Sequence, residues 1–273
     1  MARGLSQQAE GFAGAVLADI DWSQPWFAPW RELGEPTAQQ ALQQQSVAEA
    51  LNQYTHTAKR EASAVKFVPQ SALPENQAYE DFIFKTAQVP TRDGLHDFFN
   101  GLCWQRFPQA KRRLNQLQAA EIETQGIRPT RGPVRDALTL FDENVVLMHA
   151  PDEVWAALQA RDWVTLFVGM REQWQQVHLV LFGHALLEKL VTPYKSITGH
   201  VYRVDSHVNA HDEAALDDWL VQDLQPTKLT TKPYEPLPVL GVPGWWPANA
   251  ERTYYEDAQV FRPKREVVLK CHN

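Results

Sequence analysis

The chain reads as an α+β protein, mainly helical, and three observations lead there. Apolar residues recur at helical spacing over two long stretches, near 95–107 and 166–191. The β-type runs at 65–68 and 82–84 are short and bounded by proline. Two apolar runs flank the polar triplet Asp142-Glu143-Asn144 in the pattern of a β-hairpin. We read residues 1–273 as a single domain in which that hairpin and short peripheral strands pack on a helical bundle. A chain of 273 residues buries a sizeable core without metal or disulfide staples.

In order along the chain, residues 1–20 form an amphipathic pattern, a peripheral helix or a partly flexible arm. Trp22, Trp26, Phe27 and Trp30 follow, interleaved with Pro25 and Pro29, as aromatic anchors outside regular structure. Residues 37–53, rich in Ala, Gln and Leu after Pro36-Thr37, predict a helix. At 91–100 a polar run opens an apolar helix: Asp93 is the expected N-cap, and Leu95, Phe98, Phe99 and Leu102 fall on its inner face. Phe107-Pro108 ends it and starts a second helix carrying Lys111, Arg112 and Arg113, a basic cluster that suits an anionic partner or a solvated face. After the loop 129–133, the hairpin spans 135–148. Pro151, Asp152 and Glu153 announce a helix to Arg161. The longest helical pattern, 166–191, puts Met170, Trp174, Val177, Leu181 and Ala185 on one face, with His184 and Glu188 in the same sector. Val201–Val204 is strand-like, 212–220 a short acidic helix, and 259–262 a closing strand. Between them, glycines and prolines shape the loop 236–249 around Trp245 and Trp246.

Composition narrows the function classes. Twenty-six basic against 33 acidic residues give a net charge of −7, which disfavours a surface that grips nucleic acid through its phosphates. Two cysteines, Cys103 and Cys271, provide neither a disulfide framework nor a cysteine-rich zinc site and fit a reducing compartment. The apolar run 177–191 is broken by His178, His184, Glu188 and Lys189 and is too short to span a bilayer. The N-terminus lacks the uninterrupted apolar stretch of a secretory signal. The reading is a cytoplasmic protein with no membrane association. No Gly-x-Ser-x-Gly elbow, P-loop or dinucleotide fingerprint occurs, which sets aside serine hydrolases, nucleotide phosphotransferases and Rossmann dehydrogenases.

Candidate site residues sit where polar groups interrupt apolar faces. His96, Asn100, Cys103 and Phe107 form a stripe flanking the inner face of the first long helix. Asp97 points about 100° from His96, so either one of the two is chemistry and the other scaffold, or both are structural, Asp97 capping or pairing at the helix start and His96 bonding a neighbouring carbonyl. A carboxylate aimed inward at Glu188 needs a cation, donors or a metal, and His184 one turn earlier is the nearest partner. A self-satisfied buried pair tying the helix to its neighbour is the alternative. His207 and His211, at i,i+4 in a polar stretch, are either a metal-binding pair or two exposed imidazoles. Asp142 and Glu143 offer a general base, or only turn chemistry.

Four segments together resemble a bacterial family of unknown function, DUF3025. They are His96–Asn100 with Trp104, Phe107-Pro108 and Lys111; Arg135–Asn144; Phe182–Lys189; and Pro243–Pro247 with Asn249. The resemblance runs from about Phe67 to Arg262. It implies a bacterial, cytosolic protein and carries over no catalytic roles. One departure stands out: Val145 follows Asp-Glu-Asn where glycine is expected.

Three functions remain. The first is an enzyme with His96, His184, Asp142 and Glu143 as catalytic groups, acting as a hydrolase on a small-molecule or nucleotide-like ligand held by Asn100, Arg135, Trp245, Trp246 and Asn249. In its metal-dependent form His96, His184 and Glu188 bind zinc, iron or manganese; in its metal-free form His96 or His184 is oriented by Glu188 or Asp136. The second is a nucleotide or nucleic-acid binding module in which Trp245 and Trp246 stack on a ring while Arg112, Arg113 and Arg135 neutralise phosphate. The third is a protein-interaction domain whose polar motifs are structural.

Overall fold

The computed structural model describes residues 12–55, 65–125 and 132–264. The fold is mixed α+β and mainly helical, as the sequence predicts. It forms two compact units, one of residues 1–22 and 28–128, the other of residues 23–27 and 129–273. Residues 1–11 of the expected N-terminal arm, the loop positions 129–131 and Cys271 lie outside the described residues.

In the first unit a 3-10 turn over Ala13–Asp19 stands where an amphipathic helix was expected. The helix expected over 37–53 is two, α1 (Arg31–Gln44) and α2 (Val47–Thr55). Gln45 separates them in the left-handed region at φ 53°. Asp93, the expected cap of the next long helix, caps α2 instead, its Oδ1 accepting the Val47 N–H at 2.8 Å. Strands β1 (Lys66–Pro69) and β2 (Gln88–Thr91) pair in parallel, Phe67 opposite Val89. Asn52 imitates a further strand by exchanging two hydrogen bonds with Phe67, 2.8 and 2.9 Å.

The strand expected at 82–84 is helix α3 (Tyr79–Thr86), the crossover between β1 and β2. Glu80 and Asp81 in its first turn and Lys85 in its last complement the helix dipole. Helix α4 (Leu95–Arg106) follows the prediction, with Phe98, Phe99, Leu102 and Cys103 fully buried. Pro108 opens α5 (Pro108–Gln125). Gly101 lets α2 approach α4, since a Cβ there would lie 2.3 Å from Leu51 Cδ1.

In the second unit the predicted hairpin around Asp142 is replaced by helix α6 (Pro133–Asn144) running directly into β3 (Val145–His149). Pro133 at its start and the buried face of Ala137, Leu138 and Phe141 are helical signals, and the Asp-Glu-Asn triplet is the helix's last turn. Phe141 packs edge-on against Phe182 and Tyr202, with ring centroids 5.3 and 5.1 Å away. Helix α7 (Asp152–Ala160) matches its prediction.

The long helix expected over 166–191 is also corrected. It divides into a π turn at Thr165–Gly169, a 3-10 turn at Gln173–Gln176, strand β4 (His178–Leu181) and helix α8 (His184–Lys189). The apolar residues of β4 satisfy their backbone in a sheet: Val146 lies opposite Leu181 and His149 opposite His178. Strand β5 (Thr198–Arg203) lies parallel to β3, and β6 (Glu235–Pro238) closes the sheet in the order β4-β3-β5-β6. Helices α9 (Glu213–Asp223) and α10 (Pro226–Leu229) precede β6. Asp212 caps α9 through the Ala214 and Ala215 N–H groups at 2.9 and 3.3 Å. The strand expected at 259–262 is a turn in which Phe261 N donates to Asp257 O at 2.8 Å.

Candidate functional site

The end of α6 and the start of α8 meet in the second unit. The backbone N–H groups of Phe182 and Gly183 both donate to Val145 O, at 3.0 and 2.9 Å. Glycine is required at 183, because a Cβ there would lie 2.5 Å from both Asn144 N and Glu143 O. This close approach brings the Asp-Glu-Asn turn against His184, the first residue of α8, which is 4% exposed.

His184 Nδ1 lies 3.8 Å from Asp142 Oδ2, and the Asp142 side chain keeps 22% of its surface in solvent. The gap is wider than a direct hydrogen bond, yet near enough for the carboxylate to orient the imidazole after a small shift. Beside the pair, Lys189 Nζ donates to Asn144 Oδ1 at 3.2 Å. Burial, reinforced by the Lys189 charge, lowers the pKa of His200 on β5, so this second imidazole is neutral at pH 7. His200 Nδ1 is buried without a hydrogen-bond partner among the described residues. Glu143 and Glu188 are half-buried, and Glu188 follows His184 by one turn of the same helix, as the spacing requires. His184, Asp142, the neutral His200 and Lys189 thus gather around a single helix junction.

Sequence reasoning placed His184 and Asp142 among the candidates without pairing them, because it put Asp142 in a hairpin. It missed Lys189, Asn144 and His200. The first two lie inside quoted motifs, whereas His200 carries no signal beyond its place in a strand. Arg135, on the first turn of α6, is half-buried, and its Nε has no hydrogen-bond partner among the described residues.

The remaining candidates have other surroundings. In the first unit Asp97 is scaffold: it accepts Arg92 N at 2.6 Å and Arg92 Nε and Nη2 at 3.0 Å each, a bidentate clamp over the start of α4. His96 beside it is half-buried. Asn100 is buried and spends its amide on Lys111 Nζ, 2.7 Å, and on Tyr79 OH, 3.2 Å. Lys111 is therefore no part of a solvated face: it is 3% exposed, with Nζ 5.5 Å from the Trp104 ring centre.

In the second unit Trp245 and Trp246 are half-buried, Trp245 tilted against Trp26 at 6.4 Å. Asn249 is committed to its own loop, donating to Leu240 O and Val242 O at 2.9 and 2.7 Å and accepting from Gly244 N at 3.3 Å. His207 and His211 precede α9 and are exposed, and the His211 ring rests 4.4 Å from that of His178.

Among the described residues no group of three or more His, Cys, Asp and Glu side chains is gathered to hold a metal ion; His96 belongs to the first unit, His184 and Glu188 to the second. No helix among the described residues is long and apolar enough to cross a membrane. A family model described as "Protein of unknown function (DUF3025)" matches residues 65–265. No curated protein and no solved structure matches the chain.

Proposed function

The chain belongs to the DUF3025 family, and on that footing we propose that it is an enzyme whose second unit holds a metal-free acid–base centre, with His184 transferring a proton and Asp142 orienting it. The observation that carries this reading is the 3.8 Å His184–Asp142 pair, formed by side chains from two separate helices and locked in place by the Gly183 contact. An imidazole is the side chain best suited to move protons near neutral pH, and a carboxylate on one ring nitrogen selects the tautomer and stabilises the imidazolium that forms. Water is the co-substrate such a pair activates most simply, so the reaction class is hydrolysis of a small polar substrate. The substrate approaches on the Asp142 side, where the pair meets solvent. Lys189 is positioned to attract an anionic group, and neutral His200 can donate or accept one hydrogen bond.

The test is turnover on a panel of chromogenic carboxylic esters, phosphate esters and glycosides by the full chain and by His184→Gln and Asp142→Asn. General acid–base catalysis contributes roughly 10²–10⁴-fold, so the turnover number of His184→Gln falls by about that factor with KM little changed, and Asp142→Asn falls by less. A pair that only ties α6 to α8 costs stability in both variants and leaves turnover alone. Turnover that survives His184→Gln, or a panel on which the full chain does not exceed that variant, overturns the proposal.

A further inference from the structure

The first unit holds a cavity of about 230 Å³ between α3 and α5, lined by Val65, Ile83, Phe84, Ala87, Trp104, Arg112, Asn115 and Gln116. Its walls divide by chemistry. Val65, Ile83, Phe84 and the Trp104 ring are apolar, while Arg112, Asn115 and Gln116 come from consecutive turns of α5. We propose that this cavity binds a small planar carboxylate, a single aromatic ring bearing an acid group and a hydrogen-bond donor.

Size comes first. A cavity of this volume lies just below the range of drug-sized pockets and suits one ring with its substituents. Charge comes next. Arg112 is the cation on the lining, and its five N–H donors in a planar fork let it keep a protein partner on one edge while presenting another to a carboxylate.

Orientation is set by Asn115. This buried amide donates twice to Glu80, to the backbone O at 2.8 Å and to Oε2 at 2.7 Å. Both N–H groups are thereby spent, and the carbonyl oxygen is the end left to receive a donor from the ligand. Glu80 thus holds the amide in one flip state before any ligand arrives, the preorganisation that spares binding an ordering cost.

The apolar wall supplies the rest. Phe84 is 54% exposed, a large ring left in water at the cavity, and a bound ring covers part of it. Trp104 is held by the neighbouring Lys111 ammonium over its face, 5.5 Å from the ring centre. The same Lys111 is anchored to Asn100, so the indole wall is fixed from behind. Lys111, Arg112 and Arg113 stand together in the sequence as a basic run, and the fold gives its members different tasks: Lys111 supports the wall and Arg112 meets the ligand.

Isothermal titration of the full chain with 4-hydroxybenzoate, and with 4-hydroxybenzyl alcohol as the neutral analogue, tests this. The acid binds with a dissociation constant of about 1 mM or tighter, a reasonable value for so few heavy atoms. The alcohol binds about tenfold or more weakly, since it forfeits a charge-assisted hydrogen bond. Arg112→Gln removes the preference for the acid. Gln116→Trp, at an exposed position on the rim, fills the mouth and abolishes binding of both while leaving the thermal midpoint unchanged. Equal binding of acid and alcohol, binding that survives Gln116→Trp, or no heat up to about 5 mM acid overturns the proposal. The outcome is independent of His184, which lies in the other unit.

Discussion

Gly183→Ala separates steric reasoning from local propensity. Gly183 has φ −66° and ψ 114°, a conformation alanine adopts freely, and replacing glycine at a compatible position ordinarily stabilises by about 0.4–1 kcal/mol through the unfolded chain. The structure demands the opposite sign. The new Cβ would meet Asn144 N and Glu143 O at 2.5 Å and Asn144 Cα at 2.6 Å, and all three are backbone atoms that cannot rotate away. Relief requires α8 to move from α6, which strains or breaks the hydrogen bonds from Phe182 and Gly183 to Val145 O. Overpacking costs about 1–3 kcal/mol and each hydrogen bond about 1 kcal/mol, so a loss of about 3 kcal/mol is expected. In a chain of this size that lowers the thermal midpoint by roughly 6–12 °C. Urea denaturation followed by tryptophan fluorescence gives the free energy, and a ¹⁵N-histidine spectrum reports the displacement of His184. A variant as stable as the parent, with the His184 resonance unmoved, refutes the close-contact argument and with it the reason the two motifs meet.

Three further outcomes are expected. Asn100→Ala takes a partner from the buried Lys111 ammonium and costs about 2–3 kcal/mol, whereas Asn100→Leu combined with Lys111→Met costs less than the sum of the single changes; additive losses in urea denaturation count against a shared network. Asp93→Ala removes the cap on Val47 N and lowers stability by about 1 kcal/mol, with the loss of amide-exchange protection confined to the start of α2; protection lost from α4 instead would restore Asp93 to that helix. Burial pushes the phenols of Tyr254 and Tyr255 up from 10.0 to about 12. Their folded-state values exceed the unfolded ones, so the stability they confer is complete below about pH 10 and is lost as pH rises through 12. Tyrosinate absorbance should show part of the seven tyrosines ionising late and together with unfolding, and a single step near pH 10 with the fold intact contradicts this.

What could be read from the sequence follows a physical division. Helices with long one-sided patterns and clear boundary residues were legible: α4 with Phe98, Phe99 and Leu102, and α7 after Pro151. Segments of similar hydrophobicity whose state depends on distant partners were not. His178–Leu181 carries a pattern compatible with a helix, and β3 makes it a strand. Phe82–Phe84 looks like a strand and becomes the helical crossover between two parallel strands. The Asp142 triplet looks like a turn because it follows one apolar run and precedes another, but Pro133 and the Ala137, Leu138, Phe141 spacing mark a helix. At the candidate site, residue type and motif grouping named His184 and Asp142, while their pairing depended on a glycine contact no local pattern encodes. The surroundings of the amides were not legible: Asn100 and Asn249 look like ligand-binding groups from sequence, and the fold engages them with Lys111 and with backbone carbonyls.

The parallel pairing of β3 with β5 also has a consequence for how the second unit forms. Val145 must find His200, and the chain between them includes β4 and α8. Closing so long a loop before any sheet hydrogen bond rewards it is slow, so the pairing of β3 with β5 is expected late in folding. A chain still being synthesised can complete α6 by itself, but it cannot present Asp142 to His184 in a fixed sheet until β5 has emerged. The His184–Asp142 pair therefore sits on a finished sheet only once β5 has paired, and that pairing reports that the second unit has closed.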